Sequence, residues 1–317
     1  MAGQTTVATA SMNTRWAALM LVGATGCIIQ TPDEVVADRP PVLAVGLSPA
    51  NAMVEAGGAQ QFATTVIGNG IVPQAVTWSV RPGSSSGPVG VVDAQGVYRV
   101  DAPVKADARD YVVAASVANP SILAEAPVDV PAVTVTIAPT KADLLLGESL
   151  QFTATIRGLA SKAMEWIIPT PVTSGSIDAN GLYVAPQLPP QYNYVSVVVR
   201  PASGSTSHGL IDAYASALIQ LHLRPPVLTG ASGPVRSGDT LTLFGSGFLP
   251  TAPVQWQVAF EDTSGGFGGA NPYSVQEDRL YIQVPYGGPW SGRLMLILWA
   301  GSFEAVHSNV IDAGLRP

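Results

Sequence analysis

The sequence predicts an all-β protein built as tandem β-sandwiches, and three observations carry that prediction. Apolar residues come in short runs rich in Val, Ile, Thr and Tyr, several alternating with polar residues at the two-residue period of a half-buried strand. Gly (32) and Pro (27) are abundant among the 317 residues, which implies many turns and short elements. One pattern of strand and turn residues also occurs twice, about 90 residues apart, which is the length of one small sandwich.

Composition narrows the function. Hydrophobic residues make up 47% of the chain and charged residues 12%, enough apolar material for real cores. The 15 Lys and Arg are spread thinly and the net charge is −7, so no basic patch exists to neutralise phosphates. That argues against a nucleic-acid partner.

The N-terminal stretch has the layout of an export signal, predicted over 1–26. Arg15 gives a positive start, Trp16 to Val22 a short apolar run, and Gly23, Ala24, Thr25 and Gly26 a small-residue stretch before Cys27. The run is too short to span a bilayer, which needs about 20 apolar residues. Met12 suits a translation start. Cys27 is the only cysteine, so no disulfide forms within the chain. Residues 27–41 are polar and proline-rich, the composition of a tether.

Leu21-Val22-Gly23-Ala24-Thr25-Gly26-Cys27 resembles a bacterial lipoprotein lipobox, with Ala24 where that family carries Leu. The resemblance implies lipidation of Cys27, a membrane partner through that anchor, and an outer-membrane or cell-surface address, since Ile28 rather than Asp follows the cysteine. Secretion after cleavage nearby is the alternative.

The repeat is expected to build two sandwiches, over 42–130 and 132–222. Pro49 and Pro139, Gly57 and Gly147, and Phe62 and Phe152 share one offset, while the later Trp78/Trp166 and Tyr98/Tyr183 pairs drift as loops change length. In Gln151 to Ile156, Phe152, Ala154 and Ile156 fall on one face. Tyr111 to Val117 and Tyr194 to Val199 read as strands, and Ala124 to Val130 and Ala213 to Leu223 as closing strands. Val92 to Tyr98 and Ile177 to Tyr183 each read as an apolar step, an Asp-led turn with Gly, and an apolar-Tyr pair. Asp93 and Asp178 are expected to form Asx-type hairpin turns, with Gly96 and Gly181 at positive φ.

These features resemble bacterial Ig-like domains of the group-2 type found in cell-surface proteins. The carriers are the Val-x-Leu/Ile-x-Pro opening, the Gln-Phe strand, the mid-domain Trp and the Asp-Ala-x-Gly turn with its Tyr. The cysteine pair of antibody domains is missing, so the inter-sheet core is expected to rest on Trp78 and Trp166, with Phe62 and Phe152. After Arg224-Pro225-Pro226, the stretch Gly238-Asp239-Thr240-Leu241-Thr242-Leu243-Phe244-Gly245-Ser246-Gly247-Phe248 resembles an IPT/TIG domain, another Ig-like sandwich, over 225–317. Its strands are expected at Thr240 to Phe244, Val254 to Phe260, Arg279 to Val284 and Arg293 to Trp299, with Trp256 and Trp299 in the core and Ser264 to Asn271 a flexible Gly-rich insert. The Asp-led turn is not expected there.

Chemistry-bearing residues are sparse. His208, His222 and His307 have no His or Cys at ligand spacing, so no metal is expected. Asp93 and Asp178 lack the partners of a calcium loop. No nucleophile elbow or phosphate loop occurs, and Glu261-Asp262 with Glu277-Asp278 reads as a solvated rim. No cofactor is expected. Tyr286 and Trp290, in the turn Tyr286-Gly287-Gly288-Pro289-Trp290, are the candidate contacts for an unidentified envelope protein or polysaccharide. The expectation is a non-enzymatic surface protein for adhesion or assembly. The alternatives are a carbohydrate-binding accessory protein using exposed aromatics, and a hydrolase with a cryptic pocket.

Overall fold

In the computed structural model, described over residues 42–84, 86–169, 173–203, 213–233, 235–249 and 253–315, every regular element is a strand. The predicted signal, Cys27, the tether and His208 lie outside the described residues. The first sandwich comprises β1 (Val42–Ser48), β2 (Ala52–Met53), β3 (Ala59–Gln61), β4 (Ala63–Gly68), β5 (Val76–Pro82), β6 (Val91–Val92), β7 (Val97–Arg99), β8 (Ala108–Ser116) and β9 (Leu123–Val130). The second repeats this with β10 (Thr134–Ala138), β11 (Lys141–Leu145), β12 (Ser149–Gln151), β13 (Thr153–Arg157), β14 (Met164–Ile167), β15 (Ser176–Ile177), β16 (Leu182–Val184), β17 (Tyr194–Pro201) and β18 (Ala215–His222).

The opening strand of each repeat changes sheets at a proline. β1 pairs antiparallel with β4; after cis Ser48–Pro49 the chain re-enters the opposite sheet as β2, parallel to β9. β10 and β11 do the same around cis Ala138–Pro139, pairing with β13 and β18. The main sheets run β2-β9-β8-β5 and β11-β18-β17-β14, faced by β3-β7-β6 and β12-β16-β15. The chain is therefore all-β with tandem immunoglobulin-like sandwiches, and the stretch from Ala213 to Leu223 is strand rather than helix.

The third sandwich contains β19 (Val227–Ala231), β20 (Thr240–Ser246), β21 (Gln255–Asp262), β22 (Phe267–Ala270), β23 (Ser274–Val275), β24 (Arg279–Gln283), β25 (Trp290–Trp299), β26 (Val306–His307) and β27 (Ile311–Asp312). Its sheets run β19-β20-β24-β23 and β22-β21-β25-β26, with β27 also on β25. Among its described residues every strand pair is antiparallel. The Gly-rich insert, expected to be flexible, instead supplies β22, zipped onto β21 from Glu261↔Phe267 to Val258↔Ala270. Gly268 lacks the Cβ that would strike the Trp290 ring, which lets strand and indole pack closely.

Burial corrects the predicted core. Phe62 and Phe152 are deep, but so are Tyr98 and Tyr183, which the sequence placed only at turns; all four are 0–1% exposed. Trp78 and Trp166 are half-buried on strands at the free sheet edge. Each fully buried aromatic stabilises the fold by roughly 2–3 kcal/mol, so the tyrosines and phenylalanines outweigh the tryptophans. Trp256 is buried, packing edge-on to Phe248 with centroids 5.8 Å apart. Trp299 is not core. It points outward from β25, and its Nε1 donates to Gln255 Oε1.

Candidate functional site

Each Asp-led turn is a three-residue hairpin loop with glycine in the left-handed conformation. Asp93 Oδ1 accepts from the backbone N–H of Gln95 (3.0 Å) and Val97 (2.9 Å). Gly96 has φ 80° and donates its N–H to the Asp93 carbonyl at 3.0 Å. Asp178 repeats this with Asn180 (2.9 Å) and Leu182 (2.8 Å), and Gly181 has φ 83°. The Val97 amide, then the Arg99 guanidinium and Gln95 amide, hold the Asp93 carboxyl below its usual value. With Oδ1 occupied by amides, these aspartates are turn formers rather than open ligand sites.

The turns are tied to the neighbouring strand. The Phe62 N–H donates to the Gly96 carbonyl at 2.8 Å and the Phe152 N–H to the Gly181 carbonyl at 2.9 Å. Gln61 Nε2 donates to the Gln95 carbonyl (2.8 Å), and Gln151 Nε2 to that of Asn180 (2.7 Å). The Gln-Phe pair thus splits β3 from β4 and β12 from β13 in order to hold the turn. A Cβ on Gly96 would lie 2.5 Å from Trp78 Cζ2, and one on Gly181 2.8 Å from Trp166 Cζ2. The tryptophans cover the turns.

The same turn recurs in the third sandwich, contrary to expectation. Asp262 Oδ1 accepts from the N–H of Ser264 (2.8 Å) and Gly266 (2.9 Å), and Gly265 has φ 86°. The Ser264 hydroxyl, then the Gly266 and Ser264 amides, hold this carboxyl below its usual value. Glu261 pairs with Arg293 at 2.9 Å and Asp278 with Arg279 at 2.8 Å, so three members of the supposed acidic rim have structural partners.

The two repeats satisfy their buried tyrosines differently. Tyr98 donates its hydroxyl to Asp110 Oδ2 at 2.7 Å, and that oxygen also accepts from the N–H of Val89 and Gly90, both at 3.0 Å. Asp110 is fully buried and its Oδ1 has no partner in the structure. Tyr183 instead donates to the Ser174 carbonyl at 2.8 Å. Burial raises both phenols, Tyr183 to about 12.

Tyr286 and Trp290 have different surroundings. Trp290 opens β25 rather than ending a turn; it packs on Phe260 with centroids 5.8 Å apart and donates Nε1 to the Pro285 carbonyl at 3.1 Å. Tyr286 is 77% exposed beside the Gly238 turn. The two rings make no ring contact among the described residues.

No local sequence pattern marks the contacts between sandwiches. Glu55 accepts from Lys162 Nζ at 2.7 and 2.8 Å and from the Gly158 N–H at 3.1 Å. Ala56 donates to the Gly158 carbonyl and accepts from the Ala160 N–H, each at 3.0 Å. Asp107 takes Arg157 at 3.0 Å and the Ala132 N–H at 2.7 Å. Leu159, encoded in the second repeat, is fully buried in the core of the first. The linker residue Arg224 donates to the Leu146 carbonyl of the second sandwich (3.0 Å), and between the second and third sandwiches the Asn193 N–H donates to Ser302 Oγ (3.0 Å). Beside that junction is an uncharged cleft of about 1120 Å³, walled by Pro186, Leu188, Pro189, Pro190, Pro253 and Ala300. His222 Nε2 lies 2.8 Å from Asp143 Oδ1, and no group of three metal-ligating side chains occurs among the described residues.

No protein family matches the sequence, and no curated protein does. Solved structures of multi-domain proteins are similar at a distance. The three N-terminal domains of the bacteriophage RB49 Highly Immunogenic Outer Capsid protein align at 11% identity and TM-score 0.35, covering 86% of this chain and 97% of that one. An ICAM-5 ectodomain fragment aligns at 13% identity and TM-score 0.36, covering 86% and 76%. Domains 4-9 of surface layer protein SbsC align at 12% identity and TM-score 0.29, covering 88% of this chain and 46% of that one.

Proposed function

We propose that this chain is an exported, lipid-anchored surface protein whose sandwiches form a non-catalytic arm for adhesion or assembly. The observation that carries this reading is the clamp between the first two sandwiches. Main-chain hydrogen bonds, two ion pairs and the shared core residue Leu159 turn two repeats into one stiff segment. Inter-domain motion is the default where an interface is small, and a clamp of this kind suits a spacer. The lipobox-like stretch before Cys27 supports the anchor, and acyl chains contribute about 0.8 kcal/mol per buried CH₂. The side chains brought together at the turns are structural partners of one another, which supports a non-enzymatic role. The third sandwich, the one most distant in sequence from Cys27, is the contact end.

The test is fractionation of a Gram-negative host expressing the full chain, with surface proteolysis of intact cells. The wild type should partition with the outer membrane and be cleaved from outside. Cys27→Ala should lose the membrane association. A wild-type protein found in the cytosol overturns the proposal.

A further inference from the structure

We propose that the end of the first sandwich opposite the clamp docks on the lipid surface, with Ile71 as its inserting residue; this deepens the lipid-anchored reading and rests on it. Three chain segments meet at that end. β1 starts there, with Val42 opposite Gly68 at the close of β4. The loop 69–75 leads from β4 to β5, and the turn 117–122 joins β8 to β9, with Val76 opposite Ser116 and Leu123 opposite Ala115. Val42, Val66 and Val72 form a small buried cluster beneath them. At the surface, Leu43, Ile67, Val117 and Leu123 are 48–56% exposed and Ile71 is 97% exposed. The segments 42–53, 66–76 and 117–123 contain no Asp, Glu, Lys or Arg. Such a surface enters a lipid interface without desolvating an ion.

The loop is built to hold Ile71 out. Gly70 has φ 78°, Gln74 Oε1 accepts from the Val66 N–H at 3.0 Å, and Gln74 Nε2 donates to the Val66 and Val72 carbonyls at 2.9 and 3.3 Å. Val72 is thereby packed inward, 8% exposed, while its neighbour Ile71 stands in solvent. The second repeat shows what such a loop does. Between β13 and β14, Gly158 has φ 82° and is followed directly by Leu159, as Gly70 is by Ile71. Leu159 is fully buried, plugged into the sandwich that precedes it in the chain. Ile71 sits on the corresponding loop of the first repeat and faces whatever precedes that sandwich.

Chain length identifies that neighbour. Cys27 lies 15 residues before Val42, too short a stretch for another sandwich of about 100 residues. Fully extended it reaches about 50 Å, so an acylated Cys27 keeps Val42 within that distance of the bilayer. A tether of this length gives the loop an effective concentration on the order of millimolar at the membrane, and weak insertion then suffices. The second sandwich is clamped at the other end, where β8 begins and β9 finishes, through Glu55, Asp107 and Leu159.

The test uses the full chain, lipidated in a Gram-negative host and reconstituted into vesicles of phosphatidylethanolamine and phosphatidylglycerol. With the Cys27 sulfur bonded to lipid, Ile71→Cys supplies the one free thiol for an environment-sensitive fluorophore. Emission should shift to the blue and fall roughly twofold or more when the vesicles carry nitroxide-labelled acyl chains. Val117→Cys should respond likewise, and Ser216→Cys, exposed on β18 of the second sandwich, should not. Adding Ile71→Asp to the Val117→Cys chain should restore most of the emission. A chain that fails to float with the vesicles overturns the anchor and the docking together. A chain that floats while the acyl-chain nitroxides leave the Ile71→Cys label unquenched overturns the docking alone; a label that is blue-shifted but unquenched does the same, since a second copy or the tether then covers this end.

Discussion

The backbone N–H of Phe62 donates to the carbonyl of Gly96 at 2.8 Å, so a strand and a hairpin turn 34 residues apart are held in one register. Phe152 and Gly181 repeat the relationship at 2.9 Å. The turn glycines need both a positive φ and the absence of a side chain. Gly96→Ala places a Cβ against Trp78 and the Phe62 carbonyl and should cost about 2–4 kcal/mol. Gly265→Ala has the same backbone strain but open space around it and should cost about 1 kcal/mol. Urea unfolding of the two variants checks the difference.

Asp110→Ala should destabilise the protein by about 3–5 kcal/mol, because it strands the Tyr98 hydroxyl, the buried Gly90 amide and the half-buried Val89 amide. Tyr183→Phe removes one neutral hydrogen bond to a carbonyl and should cost about 1 kcal/mol. Thermal denaturation of each variant separates the two repeats.

Acid should destabilise the turns. The folded carboxyls of Asp93, Asp107 and Asp262 are held below their ordinary value of 3.8. Their contribution is therefore fully present above that value and is lost as pH falls through the lower folded value. At the alkaline end Tyr183 is raised from 10.0 to about 12, so its contribution is present below 10 and lost as pH rises towards 12. A melting-temperature profile from pH 2 to 12 should fall at both ends, and Asp93→Asn should flatten the acid limb.

Leu159→Ala should loosen the first sandwich, although the residue belongs to the second in sequence. Truncation of a fully buried leucine costs about 2–5 kcal/mol. Lys162→Ala, which removes a half-exposed ion pair with Glu55 and a hydrogen bond to the Leu159 carbonyl, should cost about 1 kcal/mol, less than the leucine truncation. Hydrogen exchange should show the Leu159 effect in β7 and β8 of the first sandwich. Confinement to the second sandwich would contradict the shared core.

The alternation of Phe152, Ala154 and Ile156 and the Asp-to-Gly spacing were readable because they depend on local backbone geometry. The relative depth of Tyr98 and Trp78 was not, since both fall on inward positions and only the sheet edge decides which ring is covered. The Asp262 turn escaped notice because no Tyr follows Gly266; the hydrogen bonds need only the aspartate and the left-handed glycine. Trp299 was misplaced because β25 is apolar on both faces and alternation alone does not say which is inside. Leu159 and Glu55 were invisible as partners, for they meet across more than 100 residues and no local pattern encodes that approach.

Mass spectrometry of the mature N-terminus from the membrane fraction tests the lipid tether most directly. The expected result is loss of residues 1–26 and an N-terminal Cys27 carrying acyl chains. An unmodified Cys27, or a mature protein beginning elsewhere, contradicts it.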